Sequence, residues 1–160
     1  MIVRKAKLKD VNKITKYGVN LLKQHYAFDP YFAPVKNVNK IYQKFFRSCI
    51  YAKTRLLLVA EEDKKIIGYA LGEISSRPPV FKIRKTGFIS DIFVEKNSRK
   101  NGIAKQFLAE LKKWFKNKKL KHIELTVHVK NEVGKKAWNN YGLRDSIIKK
   151  RVDIEKFNIR

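Results

Sequence analysis

The sequence predicts one α/β (α+β) domain with antiparallel strands at its centre, and three observations carry that reading. Short β-rich runs alternate with amphipathic runs of helical period along the chain. Two long apolar runs, 56–61 and 66–75, are separated only by Glu62-Asp63-Lys64-Lys65, a charged hairpin turn. A chain of 160 residues that is 44% hydrophobic can fill one core, and no repeat, low-complexity tract or Gly/Ser linker marks a second domain over 1–160.

Taken in order, Ile2-Val3-Arg4-Lys5-Ala6 reads as a first strand. Asp10 follows as a helix cap ahead of Val11, Ile14, Val19, Leu21 and Leu22. The stretch 26–34 holds two prolines among aromatic rings and reads as an ordered loop. A second helix is expected from about 38 to 52, with Ile41, Phe45, Cys49 and Ile50 on its apolar stripe. After the central hairpin, Arg77-Pro78-Pro79 breaks the sheet and a basic loop leads to a strand over 87–94. From Ile103, the positions Ala104, Phe107, Leu108, Leu111, Trp114 and Phe115 recur at three- and four-residue spacing, the clearest helix in the chain. Ile123, Leu125, Val127 and Val129 alternate with polar residues, which predicts a strand. A short helix from Asn131 to Gly142 and a terminal strand over 145–152 complete the expectation.

Composition narrows the chemistry. Lys plus Arg number 38 against 14 Asp plus Glu, a net charge of +24. A field this positive concentrates anions, so phosphorylated cofactors, nucleic acid and anionic membranes all qualify as partners, while simple solubilisation accounts for the charge equally well. Cys49 is the only cysteine, which excludes an internal disulfide and paired-cysteine zinc sites. His25, His122 and His128 lack ligating spacing, so no metal is expected. Residues 1–10 contain no apolar run of signal-peptide length, and the longest wholly apolar stretch, 56–60, is far too short to span a bilayer. The expectation is a soluble, cytoplasmic protein that does not engage membranes.

The stretch that carries chemistry is Val94-Glu95-Lys96-Asn97-Ser98-Arg99-Lys100-Asn101-Gly102-Ile103-Ala104, a strand leading through a polar turn into the amphipathic helix. A helix start leaves backbone amides unpaired at the positive end of its dipole. Gly102 and Ala104 let an anion approach the main chain closely, and Arg99 and Lys100 add charge. An ordinary helix start with basic surface residues fits the same spacing.

Arg99-Lys100-Asn101-Gly102-Ile103-Ala104 resembles the R/Q-x-x-G-x-G/A signature of the GNAT superfamily of N-acetyltransferases. The resemblance extends to the opening 2–6 with Asp10, to the hairpin, and to Asn131-Glu132-Val133-Gly134 followed by Ala137-Trp138-Asn139-Asn140-Tyr141-Gly142-Leu143. That last block is similar to the family's N-x-x-A-x-x-x-Y-x-x-x-G-F ending. The resemblance implies a mixed, mostly antiparallel central sheet flanked by helices, with acetyl-CoA as co-substrate. It also implies that backbone groups of Ile92, Phe93 and Val94 pair with the pantetheine arm, and that Arg99, Lys100, Asn101, Gly102, Ile103 and Ala104 cradle the pyrophosphate. Asn131 would lie near the pantetheine, or serve as a plain helix cap.

Two departures bear on mechanism. Gly134 stands where the family has Ala, and Trp138 where many relatives place a Tyr that protonates the leaving thiolate. An indole N–H cannot act as that acid. Tyr141, three positions on, is the alternative donor, although a packing role suits it too. A carboxylate must accept the amine's proton, and the candidates are Asp91 in the strand beside the expected thioester and Glu73 at the end of the neighbouring strand. Either could instead serve in an ion pair.

The expected activity is therefore acetyl-CoA-dependent transfer of an acetyl group to a primary amine by direct attack in a ternary complex. The acceptor would be a small-molecule or peptide amine. A non-catalytic acyl-CoA sensor and a basic nucleic-acid-binding protein are the alternatives, the latter on Lys112, Lys113, Lys116, Lys118, Lys119 and Lys121. A homodimer is compatible with the sequence.

Overall fold

Strand pairing and helix packing in a computed structural model, which describes residues 1–159, divide the chain into two units, Met1–His128 and a second from Val129 onward. The first unit runs β1 (Ile2–Lys5), α1 (Val11–Phe28), α2 (Val38–Tyr51), β2 (Arg55–Glu62), β3 (Lys65–Ser76), β4 (Lys85–Val94), α3 (Ile103–Asn117) and β5 (Ile123–Glu124). The strands form one sheet in sequence order. β1 to β4 pair antiparallel and β4 pairs with β5 in parallel, the mixed, mostly antiparallel arrangement expected.

The charged turn closes the central hairpin as the sequence predicts. Glu62 pairs with Lys65, and the two residues between them, Asp63 and Lys64, have φ of 48° and 62°. Both central residues of a two-residue hairpin of this kind must be left-handed to match the twist of the strands.

Alternation along β2 and β3 sends side chains to two faces. Leu57, Val59, Tyr69 and Leu71 join Val11, Ile14, Tyr17, Phe46, Cys49 and Phe93 in one buried cluster under α1 and α2. The opposite face is covered by α3, whose buried stripe is Ile103, Phe107, Leu111 and Phe115. Glycines allow α3 to lie close. A Cβ at Gly72 would stand 2.6 Å from Leu111 Cδ2, and one at Gly87 would stand 2.7 Å from the Phe115 ring.

Several expectations are corrected. Asp10 ends a 3-10 turn, Leu8–Asp10, directly before α1, but its side chain makes no cap bond to that helix. Its carboxylate instead accepts from Arg4 Nη1 at 2.7 Å, Arg4 Nη2 at 3.1 Å and Lys7 N at 2.8 Å. Residues 26–28 continue α1, which ends at Phe28 because Pro30 forces Asp29 into extended backbone. A single 3-10 turn, Pro30–Phe32, follows, with the Asp29 side chain accepting from Tyr31 N at 3.0 Å. The strand expected over 123–129 is reduced to Ile123–Glu124. Beyond it His128 stacks on Phe28, with ring centroids 5.6 Å apart, and meets Phe32 edge-on, so aromatic packing holds the end of this segment.

In the second unit, α4 (Glu132–Asn140) is capped by Asn131 and followed by Gly142 at φ 85°. The terminal strand expected over 145–152 does not form, and Ile147 and Ile148 are exposed there. Strand propensity becomes a strand only where a partner edge is in register. Among the described residues no helix is long and apolar enough to cross a membrane.

Candidate active site

The site is built on the end of β4. That strand pairs with β5 only at Gly87↔Ile123 and Phe88↔Glu124, with a further bond from Gly87 N to His122 O of 2.9 Å. Among the described residues no strand pairs with its outer edge from Ile89 to Val94. Opposite, β3 pairs Leu71 with Asp91 and Gly72 with Ile89, so Ser90 is an extra residue, a β-bulge that bends the strand.

Hydrogen-bond parity decides which main-chain groups face the open edge. Glu95 N donates to Ile67 O at 2.9 Å, and antiparallel bonds alternate from there, committing Phe93 and Asp91 to β3. The N–H and C=O groups of Ile92 and Val94 therefore point outward. One of them is engaged: Arg99 Nε donates to Val94 O at 3.0 Å. The three backbone groups expected to face a ligand thus narrow to Ile92 and Val94, while the Phe93 side chain stacks on Tyr17 at 4.7 Å in the core.

Directly after β4 the chain turns through a 3-10 segment, Lys96–Ser98, into α3. Its start is fixed from below: Glu95 accepts from the Tyr17 hydroxyl at 2.5 Å and from Lys13 Nζ at 3.0 Å. The Tyr17 bond and then the Lys13 ammonium hold the Glu95 carboxyl below its ordinary value. Within the turn, Lys100 and Gly102 have φ of 67° and 75°, the left-handed region. Left-handed residues in a turn roll successive amides toward one side, the geometry of an anion nest. Gly102 is the N-cap of α3, and among the described residues nothing beyond its own stretch of chain lies within 4 Å of the place where its Cβ would stand. Gln106 N bonds Gly102 O at 3.1 Å, so the amides of Ile103, Ala104 and Lys105 form the unpaired first turn, with no acidic residue in it.

Asp91 and Glu73 share the face covered by α1 and α2. Asp91 accepts from the buried Tyr69 hydroxyl at 3.0 Å. Burial pushes the Asp91 carboxyl above the usual carboxylate range, the Tyr69 bond offsets part of the rise, and the negative charge of Glu73 adds to it. Glu73 is held differently: Arg55 Nε donates to it at 2.6 Å, and the Ser90 hydroxyl in the bulge donates to its other oxygen. Glu73 thus has the bonding of an ion pair, and the Asp91 carboxyl the raised proton affinity. A groove of about 290 Å³ opens beside Glu73, Ile74, Ser75 and Phe88. A second cavity of about 240 Å³, reached by Lys5, Cys49, Arg55 and Trp114, includes no residue of β4 or of the turn.

The remaining candidates lie in the second unit. Asn131 Oδ1 accepts from Gly134 N at 2.9 Å, so the cap role is realised. A Cβ at Gly134 would stand 2.5 Å from Asn131 Nδ2, which explains why Gly accompanies Asn131 folded over the first turn of α4. Trp138 and Tyr141 are tilted neighbours with ring centroids 6.2 Å apart, and Tyr141 is exposed. Sequence reasoning missed Tyr69, Ser90 and the Tyr17–Glu95 tether. Their roles depend on cross-strand register and helix packing, for which no local pattern exists.

The bulged strand, the amide-rich turn that follows it and a carboxyl of raised proton affinity lie together within residues 85–104. The sequence profile of the Acetyltransferase (GNAT) family matches residues 21–142, and the chain belongs to that family. Similar solved structures include a tetramutant of the BH1408 protein from Bacillus halodurans (TM-score 0.85, 23% identity, 96% of this chain and 100% of that one). A predicted acetyltransferase with acetyl-CoA from Clostridium acetobutylicum is similar over 99% of both chains (TM-score 0.75, 22% identity). The aminoglycoside antibiotic 6'-N-acetyltransferase AAC(6')-IG from Acinetobacter haemolyticus is similar at TM-score 0.73 and 14% identity, over 96% of this chain and 100% of that one. Among curated proteins none matches the sequence.

Proposed function

We propose that this chain, acting as a single catalytic domain, transfers the acetyl group of acetyl-CoA to a primary amine by direct attack with both substrates bound. The observation that carries the reading is continuity: the outward edge of Ile92 and Val94 runs straight into the left-handed turn at Gly102. The edge suits the amides of a pantetheine arm as an added strand, and the turn suits a pyrophosphate. Gly102 leaves room for it, and Arg99, Lys100 and the amides of Asn101 to Ala104 supply its donors.

In this mechanism Asp91 takes a proton from the amine, directly or through water, as the nitrogen attacks the thioester carbon. The outward Ile92 or Val94 N–H stabilises the charge that develops on the carbonyl oxygen. The C–S bond breaks as the C–N bond completes, and the thiolate takes a proton from Tyr141 or solvent, since Trp138 has none to give. The family resemblance assigns Asn131 and Trp138 to the cofactor as well. The acceptor class fits a small-molecule or peptide amine. With +24 overall, a polycationic acceptor is repelled except where the Asp91–Glu73 pair offers local negative charge.

Calorimetry with acetyl-CoA tests the cofactor half. Gly102→Glu places bulk and charge at the turn and should weaken binding at least tenfold. Gly102→Ala adds only the strain of a left-handed L-residue, about 1–2 kcal/mol, and should keep affinity within several-fold. Equal affinity of Gly102→Glu and the parent would remove the assignment. Thiol release across an amine panel then separates an enzyme from a sensor.

A further inference from the structure

The cationic surface at the C-terminal half of α3 is not used by the chemistry above. Between Glu95 and Glu124 the chain has ten Lys and Arg and a single carboxylate, Glu110. Six of these, Lys112, Lys113, Lys116, Lys118, Lys119 and Lys121, are exposed and follow one another along α3 and the turn after it. None of the six forms an ion pair among the described residues, whereas Lys13, Arg4 and Arg55 elsewhere each do.

Compensation of the helix dipole explains only part of this. That effect falls off within the last turn, and Lys112 and Lys113 stand before the last turn of a helix ending at Asn117. Lys112 and Lys116 are one turn apart, about 6 Å along the axis, near enough for both ammonium groups to meet phosphates of one strand, which carries a charge about every 3.4 Å of its axis. The surface carries no arginine and no exposed large aromatic ring over 112–121, so it has point charges but no means of reading bases. A membrane-surface helix would also present an apolar face, but Phe107, Leu111 and Phe115 are buried against the sheet.

We propose that this surface docks the sugar–phosphate backbone of nucleic acid, without sequence preference, independently of the acetyl-transfer site. Binding of this kind releases counterions, so its affinity falls steeply with salt. Six contacts give a slope of log K against log salt of about −5, roughly a thousandfold loss between 50 and 200 mM.

The test measures the affinity of the full chain for 20-base-pair DNA and RNA duplexes across that salt range. Three proteins are compared: the parent, the triple variant Lys112→Gln/Lys113→Gln/Lys116→Gln, and the control Lys23→Gln/Lys40→Gln/Lys44→Gln. Both variants lose the same charge from exposed positions, so neither is expected to unfold. The α3 variant should flatten the slope by about 3, and the control should follow the parent. Equal losses in both variants would assign the effect to bulk charge and overturn the proposal. So would a parent that binds neither duplex at 50 mM salt. An α3 effect seen with phosphatidylserine vesicles and absent with duplexes would replace nucleic acid with a membrane surface.

Discussion

Replacing Asp91 with Asn separates chemistry from packing at this site. The amide keeps an oxygen that can accept from Tyr69, 3.0 Å away in the parent, so no buried hydroxyl is left unsatisfied. What disappears is the proposed proton acceptor. A positioned general base contributes about 10²–10⁴-fold, or about 3–5 kcal/mol of barrier, so kcat/KM should fall by at least a hundredfold with acetyl-CoA affinity unchanged. Stability moves the other way. The folded carboxyl titrates above its unfolded value, so Asp91 contributes most below the unfolded pKa and that contribution is lost as pH rises through the folded pKa. Asn lacks this loss, and the variant should melt at or above the parent's temperature on the alkaline side of that transition. Steady-state acetylation with calorimetry and thermal melts against pH measures all three quantities. Activity within threefold of the parent at every pH would refute Asp91 as the base, and a joint loss of activity, affinity and melting temperature would make it a structural residue.

The neighbours of Asp91 should move its titration in opposite directions. Tyr69→Phe removes a bond that favours the carboxylate, so the acid limb of the rate profile shifts to higher pH. Glu73→Gln removes a nearby negative charge, so the limb shifts lower; its part-exposed bond to Arg55 is worth no more than about 1 kcal/mol of stability. Asp10→Ala strips Arg4 of its buried partner and should cost about 1–3 kcal/mol in urea melts. Burial alone would raise the Asp10 carboxyl, yet the Arg4 and Lys7 bonds hold it below its ordinary value, so this stability is present above the unfolded pKa and is lost as pH falls through the folded one. Gly68→Ala would set a Cβ 2.6 Å from the Phe93 carbonyl, an atom that cannot swing aside, and should cost about 1–3 kcal/mol.

The elements legible in the sequence are those fixed by neighbours along the chain. The hairpin at Asp63-Lys64 and the stripe of α3 are local patterns, and both formed as read. The turn at Arg99–Gly102 was legible because a small residue before a helix exposes amides wherever it occurs. Features set by distant partners were not. Asp10 has the chemistry of a cap, and a cap would satisfy one amide, but Arg4 on the adjacent strand offers two charge-assisted bonds. The 123–129 alternation is genuine, but the segment ends where His128 stacks on Phe28, a contact between residues a hundred positions apart. That Ile92 and Val94 face outward while Phe93 faces β3 follows from one register, Ile67 with Glu95, which no residue type encodes.

The parting of β4 from its last neighbour also bears on how the protein survives heat. An unprotected strand margin is a template on which another chain can lay itself down, the usual beginning of β-aggregation. A molecule that occupies that margin shields it, and at a hundred times its dissociation constant it adds about 2.7 kcal/mol to the folded state by mass action. Light scattering during a slow temperature ramp should therefore show coenzyme A delaying turbidity by more than its effect on the melting midpoint alone. A bound coenzyme would then guard the fold as well as take part in the proposed reaction.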